Sequence, residues 1–210
     1  MTEMEDYRKF YSESALAGLE EGLRERFGTE KGDSFMKSCG KYAASILEDY
    51  QYLNNDAMQR HLFRSIAPTI GAFLALTEQG MNREETQTFL ESLFMQAAEK
   101  KRRVFHQMTE REDFYTFFFN YGKQAMLQDY PQEYWGTETI LDNDRAVAFN
   151  IRHCIYWEAC QKYGCPGLCE IFCKSDLVAM EGVSSQICFG RTQTIGTGGN
   201  CCDFSFTAAE

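Results

Sequence analysis

The sequence predicts an α+β fold: a helical N-terminal half packed with a C-terminal antiparallel sheet of about four strands that contains a helical insertion. Three observations carry this. Apolar residues recur at helical spacing from residue 4 to about residue 127. After Pro131 the pattern changes, and Val147, Phe149 and Ile151 alternate with Ala148, Asn150 and Arg152, as in a half-buried strand. Glycine, proline and asparagine clusters then separate short segments of both kinds. The chain is expected to divide into a helical region at 1–130 and a sheet region with a cysteine-rich helical insert at 131–210, together forming one integrated domain.

Each element has its own signal. Leu16, Leu19, Leu23 and Phe27 form one stripe, and Gly28 is a stop. Phe35, Cys39, Tyr42 and Ile46 form a second, running up to Asn54-Asn55-Asp56. Asp56 is placed to cap a third helix bearing Leu62, Ile66, Ile70 and Phe73, which Pro68 should kink or divide and Gly80 should end. Asn82 and Glu85 have capping-box spacing. The helix they open carries Phe89, Leu93 and Ala97, then Lys100 to Arg103, a basic run that suits a helix C-terminus and a solvated face. Phe114 to Tyr121 is aromatic enough to lie under the next layer.

In the second half, Asp142-Asn143-Asp144 reads as the turn of a hairpin between the Tyr134–Leu141 segment and the Val147 strand. Cys154 to Tyr163 is expected to be helical. Gly164, Pro166 and Gly167 break it, and Leu168 to Met180 resumes it. Gln186 to Ile195 reads as a strand, Gly196 to Asn200 as its turn and Cys201 to Thr207 as the closing strand. Gly196, Gly198 and Gly199 are not a nucleotide loop, because they lead into a strand rather than a helix.

The formal charge of −10 disfavours nucleic acid and anionic membrane as partners. No apolar run approaches the roughly 20 residues that span a bilayer. The N-terminus, Met-Thr-Glu-Met-Glu-Asp, lacks the apolar core of a signal peptide. The expected address is therefore cytoplasmic and the expected partner a small molecule, with a second copy of the chain left open.

Eight of the nine cysteines lie between Cys154 and Cys202. In a reducing compartment they are thiols or metal ligands rather than disulfides. Their spacing contains no Cys-x-x-Cys pair and matches no zinc or ferredoxin pattern. Cys165, Cys169 and Cys173 are spaced by four, but Pro166-Gly167 separates the first from the helix of the other two. Packing, metal, and catalytic or redox duty all remain open for the set. Cys173 and Asp176 are helix neighbours, so the carboxylate can orient or take a proton from a group bound at the thiol. Cys202, Phe204 and Phe206 share one face of the last strand and Asp203 takes the other, within cross-strand reach of Arg191. His61, His106 and His153 show no metal spacing, and His153 is near enough to the thiols to serve one as a base.

Taken in order, Cys160, Tyr163-Gly164, Leu168, Cys173-x-x-Asp176, Gly190-Arg191-Thr192-x-Thr194, Gly198 and Cys202-Asp203-Phe204-x-Phe206 resemble the L-2-amino-thiazoline-4-carboxylic acid hydrolase family. The resemblance covers about residues 60–207, with its specific part at 150–207. It implies water-dependent opening of a carbon–nitrogen bond in a small cyclic or amide-like compound, with neither cofactor nor metal. Cys173 or Cys202 would be the nucleophile, Asp176 or Asp203 the acid–base, Arg191 the grip on a substrate carboxylate and Thr194 a hydrogen-bond donor. The closing arrangement is also similar to four-vinyl-reductase-type ligand-binding domains, which implies a binding module without chemistry of its own, with metal on its cysteines as a variant.

Overall fold

A computed structural model describes residues 3–210, with the side chain of Glu3 left out of the description. It is an α+β structure, with a four-stranded antiparallel sheet in its C-terminal part. The chain forms two compact units, Met1–Ala97 and Ala98–Glu210. The change to strands falls later, at Glu138, so the division into units and the change in secondary structure are separate boundaries.

The first unit is helical. It contains α1 (Glu3–Ser12), α2 (Leu19–Phe27), α3 (Thr29–Asp49), α4 (Asp56–His61), α5 (Ala67–Glu78) and the first part of α6 (Arg83–Met108). Gly28 takes φ 78° between α2 and α3, the positive value that favours glycine. Leu16, Leu19, Leu23, Phe35, Cys39, Ile46, Leu62, Ile66 and Ile70 are buried as the stripes predict, although Leu16 precedes its helix. α3 and α5 approach closely because Gly71 has no side chain; a methyl there would stand 2.7 Å from the Ala43 backbone nitrogen.

Two expectations need correction here. The cap of α4 is Asn55, whose side chain accepts from the backbone N–H groups of Ala57 and Met58, and Asp56 is the first helical residue. Pro68 divides the run as expected: α4 ends at His61, a π-helical turn, Leu62–Ile66, follows, and α5 starts at Ala67 with Pro68 in its first turn. A proline at 68 cannot donate to the carbonyl of Arg64, and the N–H of Ala15 takes that carbonyl at 2.8 Å. The basic run is mid-helix, because lysine and arginine are good helix formers and α6 continues to Met108. Asn82 does cap α6, accepting from the N–H groups of Glu84 and Glu85.

The second unit opens with α7 (Phe114–Thr116), a π-helical segment (Phe117–Gly122), α8 (Lys123–Asp129) and α9 (Gln132–Trp135). It continues through β1 (Glu138–Asp142), β2 (Ala146–Ile151), α10 (Ile155–Lys162), a 3-10 turn at Pro166–Leu168 and α11 (Cys169–Met180), and ends with β3 (Ile187–Gly190) and β4 (Cys202–Ala208). The sheet order is β1-β2-β4-β3. β2 and β4 pair Phe149 with Phe204 and Ile151 with Cys202, while β3 ends with Gly190 opposite Ser205. Phe149, Phe204, Phe206 and Phe189 lie against one another on one face, and Phe118 of the π-helical segment covers Phe206 at 5.9 Å between ring centroids. The aromatic stretch thus lies on the sheet as expected, except that Tyr121 is exposed.

β1 is shorter than its predicted segment, because Tyr134 belongs to α9 and Gly136 (φ 56°) turns the chain into the strand. β3 is also shorter than read from the sequence. It stops at Gly190, and residues 191–201 leave the sheet as a loop containing a 3-10 turn at Ile195–Thr197.

Candidate functional site

The 191–201 loop lies against α11, and the two supply most of the residues singled out in the sequence. The loop is folded by β4. Asp203 accepts hydrogen bonds from the Thr192 N–H at 2.9 Å, the Gln193 N–H at 2.8 Å and the Thr192 hydroxyl. The Ile195 N–H donates to Cys202 Sγ at 3.3 Å, and the Asn200 N–H to Gln193 Oε1 at 3.0 Å. Gly198, at φ 89°, completes the turn.

So held, the loop delivers two side chains to α11. Arg191 donates from Nη1 to Asp176 Oδ2 at 3.0 Å and from Nη2 to the Cys173 carbonyl at 2.7 Å. Its side chain is only 6% exposed, and its guanidinium stands 5.6 Å from the Phe204 ring centroid. Thr194 is buried, with its hydroxyl 3.7 Å from Cys173 Sγ and 3.0 Å from the Thr197 hydroxyl. Cys173, Asp176, Arg191 and Thr194 therefore converge. The cross-strand pairing of Arg191 with Asp203 does not occur: β3 has ended, and Arg191 turns to the helix while Asp203 ties down the loop backbone.

The thiols differ in surroundings. Cys154, Cys160, Cys165, Cys169, Cys201 and Cys202 are buried, Cys173 is half-buried and Cys188 is exposed; all are free. The sulfurs of Cys154, Cys160 and Cys173 neighbour that of Cys169, and Cys154 also neighbours Cys202, closely enough for each to shift the ionisation of the other. Among the described residues, no group of three or more histidine, cysteine, aspartate or glutamate side chains is arranged to hold a metal ion.

These contacts separate the thiols electrostatically. The hydrogen bond from Cys169 brings Cys173 down to about 7, against burial, with Thr194 and Arg191 adding to the effect and Asp176 opposing it. Cys202 is driven strongly upward by its bond with Cys154 and by burial. Cys154 is pushed up to about 12, first by its bond with Cys169. Burial raises Asp176, although Lys101 and Arg191 pull the other way. Burial also acts to raise Asp203, but its bonds with Thr192 and Gln193 outweigh that and hold it below the usual carboxylate range.

A family model described as L-2-amino-thiazoline-4-carboxylic acid hydrolase matches residues 59–206. The chain belongs to this hydrolase family. The family match begins inside α4 and ends inside β4, so it takes in Cys173, Asp176, Arg191, Thr194, Cys202 and Asp203. No curated protein and no solved structure matches the chain.

Two residues of this cluster were not singled out from the sequence. Cys169 was weighed with its neighbours as packing, metal, or catalytic or redox duty and given no role of its own, although its four-residue spacing from Cys173 put both on one helix face. Gly196 was read as a hairpin glycine, yet a methyl there would stand 2.7 Å from Cys169 Sγ and 3.4 Å from Cys173 Sγ. That approach follows from the early end of β3, which strand periodicity does not signal.

Proposed function

We propose that the protein is a thiol-dependent hydrolase that opens a carbon–nitrogen bond in a small cyclic or amide-like compound bearing a carboxylate. The observation that carries this reading is the half-buried Cys173 sulfur, depressed to about 7, beside the Thr194 hydroxyl and one helical turn from the Asp176–Arg191 pair. A thiol at that value is about half ionised at neutral pH, and the thiolate is the nucleophile. Cys202, driven the other way, stays protonated.

In the proposed reaction the Cys173 thiolate adds to the electron-poor carbon bonded to nitrogen. The carbon–nitrogen bond breaks, and the nitrogen takes a proton that Asp176, raised by burial and paired with Arg191, passes on from solvent. Water then attacks the carbon–sulfur intermediate, giving its hydroxyl to the carbon and a proton back to the site, and Cys173 leaves as thiolate. The net change is one water added across the bond. Arg191 holds Asp176 and the Cys173 carbonyl with two of its five N–H groups, and the remaining ones suit a substrate carboxylate. Thr194 positions the sulfur and can donate to the substrate. Asp203 shapes the loop.

The test is turnover on a panel of thiazoline carboxylates, cyclic amides and carbamoyl amino acids. Cys173→Ala should lower kcat on the responsive compound by about a thousandfold or more, and Cys188→Ala should leave it unchanged. A Cys173→Ala protein that works at the wild-type rate would sink the thiol mechanism. The rate of the wild type should rise with pH through about 7, following the ionisation of Cys173.

A further inference from the structure

Cys169 is the first residue of α11, entered from the 3-10 turn Pro166–Leu168. It is fully buried, with its sulfur one helical turn from that of Cys173 and facing the same neighbour, Gly196. The bare Cα of Gly196 lets the loop close over both sulfurs, and any side chain at 196 would overlap that of Cys169. Its surroundings keep Cys169 protonated: the bond with Cys154 acts to lower its value, but the bonds with Cys160 and Cys173 and burial raise it far more. It therefore always carries a proton to donate. Thiols are weak donors, but a bond to an ionised acceptor is among the stronger hydrogen bonds.

We propose that Cys169 is a positioning residue for Cys173: its buried S–H donates to the Cys173 sulfur and, under the roof made by Gly196, holds that sulfur toward Thr194. This rests on Cys173 being the nucleophile of the proposed hydrolase, and it assigns to one of the crowded thiols a role other than packing. The groups that face Cys173 are Cys169 and Asp176 on its own helix, Arg191 and Thr194 on the loop, and Cys202 on β4. Cys169 and Thr194 are its hydrogen-bonding side chains and Arg191 supplies positive charge, whereas Asp176 opposes ionisation.

The test reads Cys173 without turnover. The full chain is alkylated with iodoacetamide from pH 5.5 to 9.5 (roughly the span over which thiols ionise), and labelling of the Cys173 peptide is followed by mass spectrometry. Wild type should show a midpoint near 7. Cys169→Ala should move it up by about one unit, which lowers the labelling rate at pH 7 about fivefold. Cys169→Ser, which keeps a donor, should stay within about twofold of wild type. A Cys169→Ala protein that titrates like wild type, or a serine variant that loses as much as alanine, overturns the proposal. If Cys169→Ala does not fold, Gly196→Ala serves instead: its methyl should part the two sulfurs and raise the midpoint, and an unchanged midpoint overturns the proposal. A protein that hydrolyses nothing but shows these titrations sinks the hydrolase reading and leaves the role of Cys169 standing.

Discussion

Two residues that look interchangeable in the sequence, Asp176 and Asp203, do different work. Each follows a cysteine of interest, but Asp176 faces Arg191 and Asp203 faces loop N–H groups. Asp176→Asn removes the counter-charge of a guanidinium that is 6% exposed, whereas Asp176 itself is 33% exposed. A fully buried pair would lose more, so the expected cost is about 1–3 kcal/mol in urea unfolding. Asp203→Ala should cost a similar amount, about 1–3 kcal/mol, by releasing its hydrogen bonds. It should also slow Cys173 alkylation, because the loop that carries Arg191 and Thr194 loosens. Cys173 itself gives a pH signature. Its folded value of about 7 lies below the roughly 8.5 of an unfolded thiol, so ionisation favours the folded state. That contribution is full above the unfolded value and is lost as pH falls through 7. The unfolding midpoints of wild type and Cys173→Ala should therefore diverge further at pH 9 than at pH 6. At this scale the sequence was informative wherever side-chain direction follows from helix or strand period, as for Cys173 with Asp176 and Cys202 with Phe204. It was silent on which carboxylate meets Arg191, because that depends on where β3 ends.

Among the elements, the helices were the most legible, since a buried stripe at 3.6-residue spacing leaves little choice of face. Their ends were less so. Pro68 marks the division between α4 and α5, but the sequence gives no sign that the freed Arg64 carbonyl is taken by Ala15 from a distant part of the chain. The long contact of α3 with α5 rests on Gly71. Gly71→Ala should push the two helices apart and cost about 1–3 kcal/mol, measured as a shift in the urea midpoint. A neutral outcome would mean that the helices slide at no cost. The loop after β3 was the least legible element. Its 191–194 segment has the composition of a strand, and only the capture of its N–H groups by Asp203 and of Ile195 by Cys202 takes it out of the sheet.

For the whole molecule, the charge of −10 is a repulsion that the fold must overcome. Raising salt from low to physiological ionic strength should raise Tm, read by scanning calorimetry, as the screening length shortens from about 30 Å toward 8 Å. No helix among the described residues is long and apolar enough to cross a membrane. The family match spans parts of both compact units, so each contributes residues to the family pattern, although every candidate site residue belongs to the second. The buried sulfurs of that unit have one more consequence. The S–H stretch falls in an infrared window that other protein groups leave empty, so the bonded thiols around Cys169 form a built-in, label-free reporter. Its bands should shift and sharpen when a ligand seats beside Cys173, so occupancy can be watched before any substrate is known.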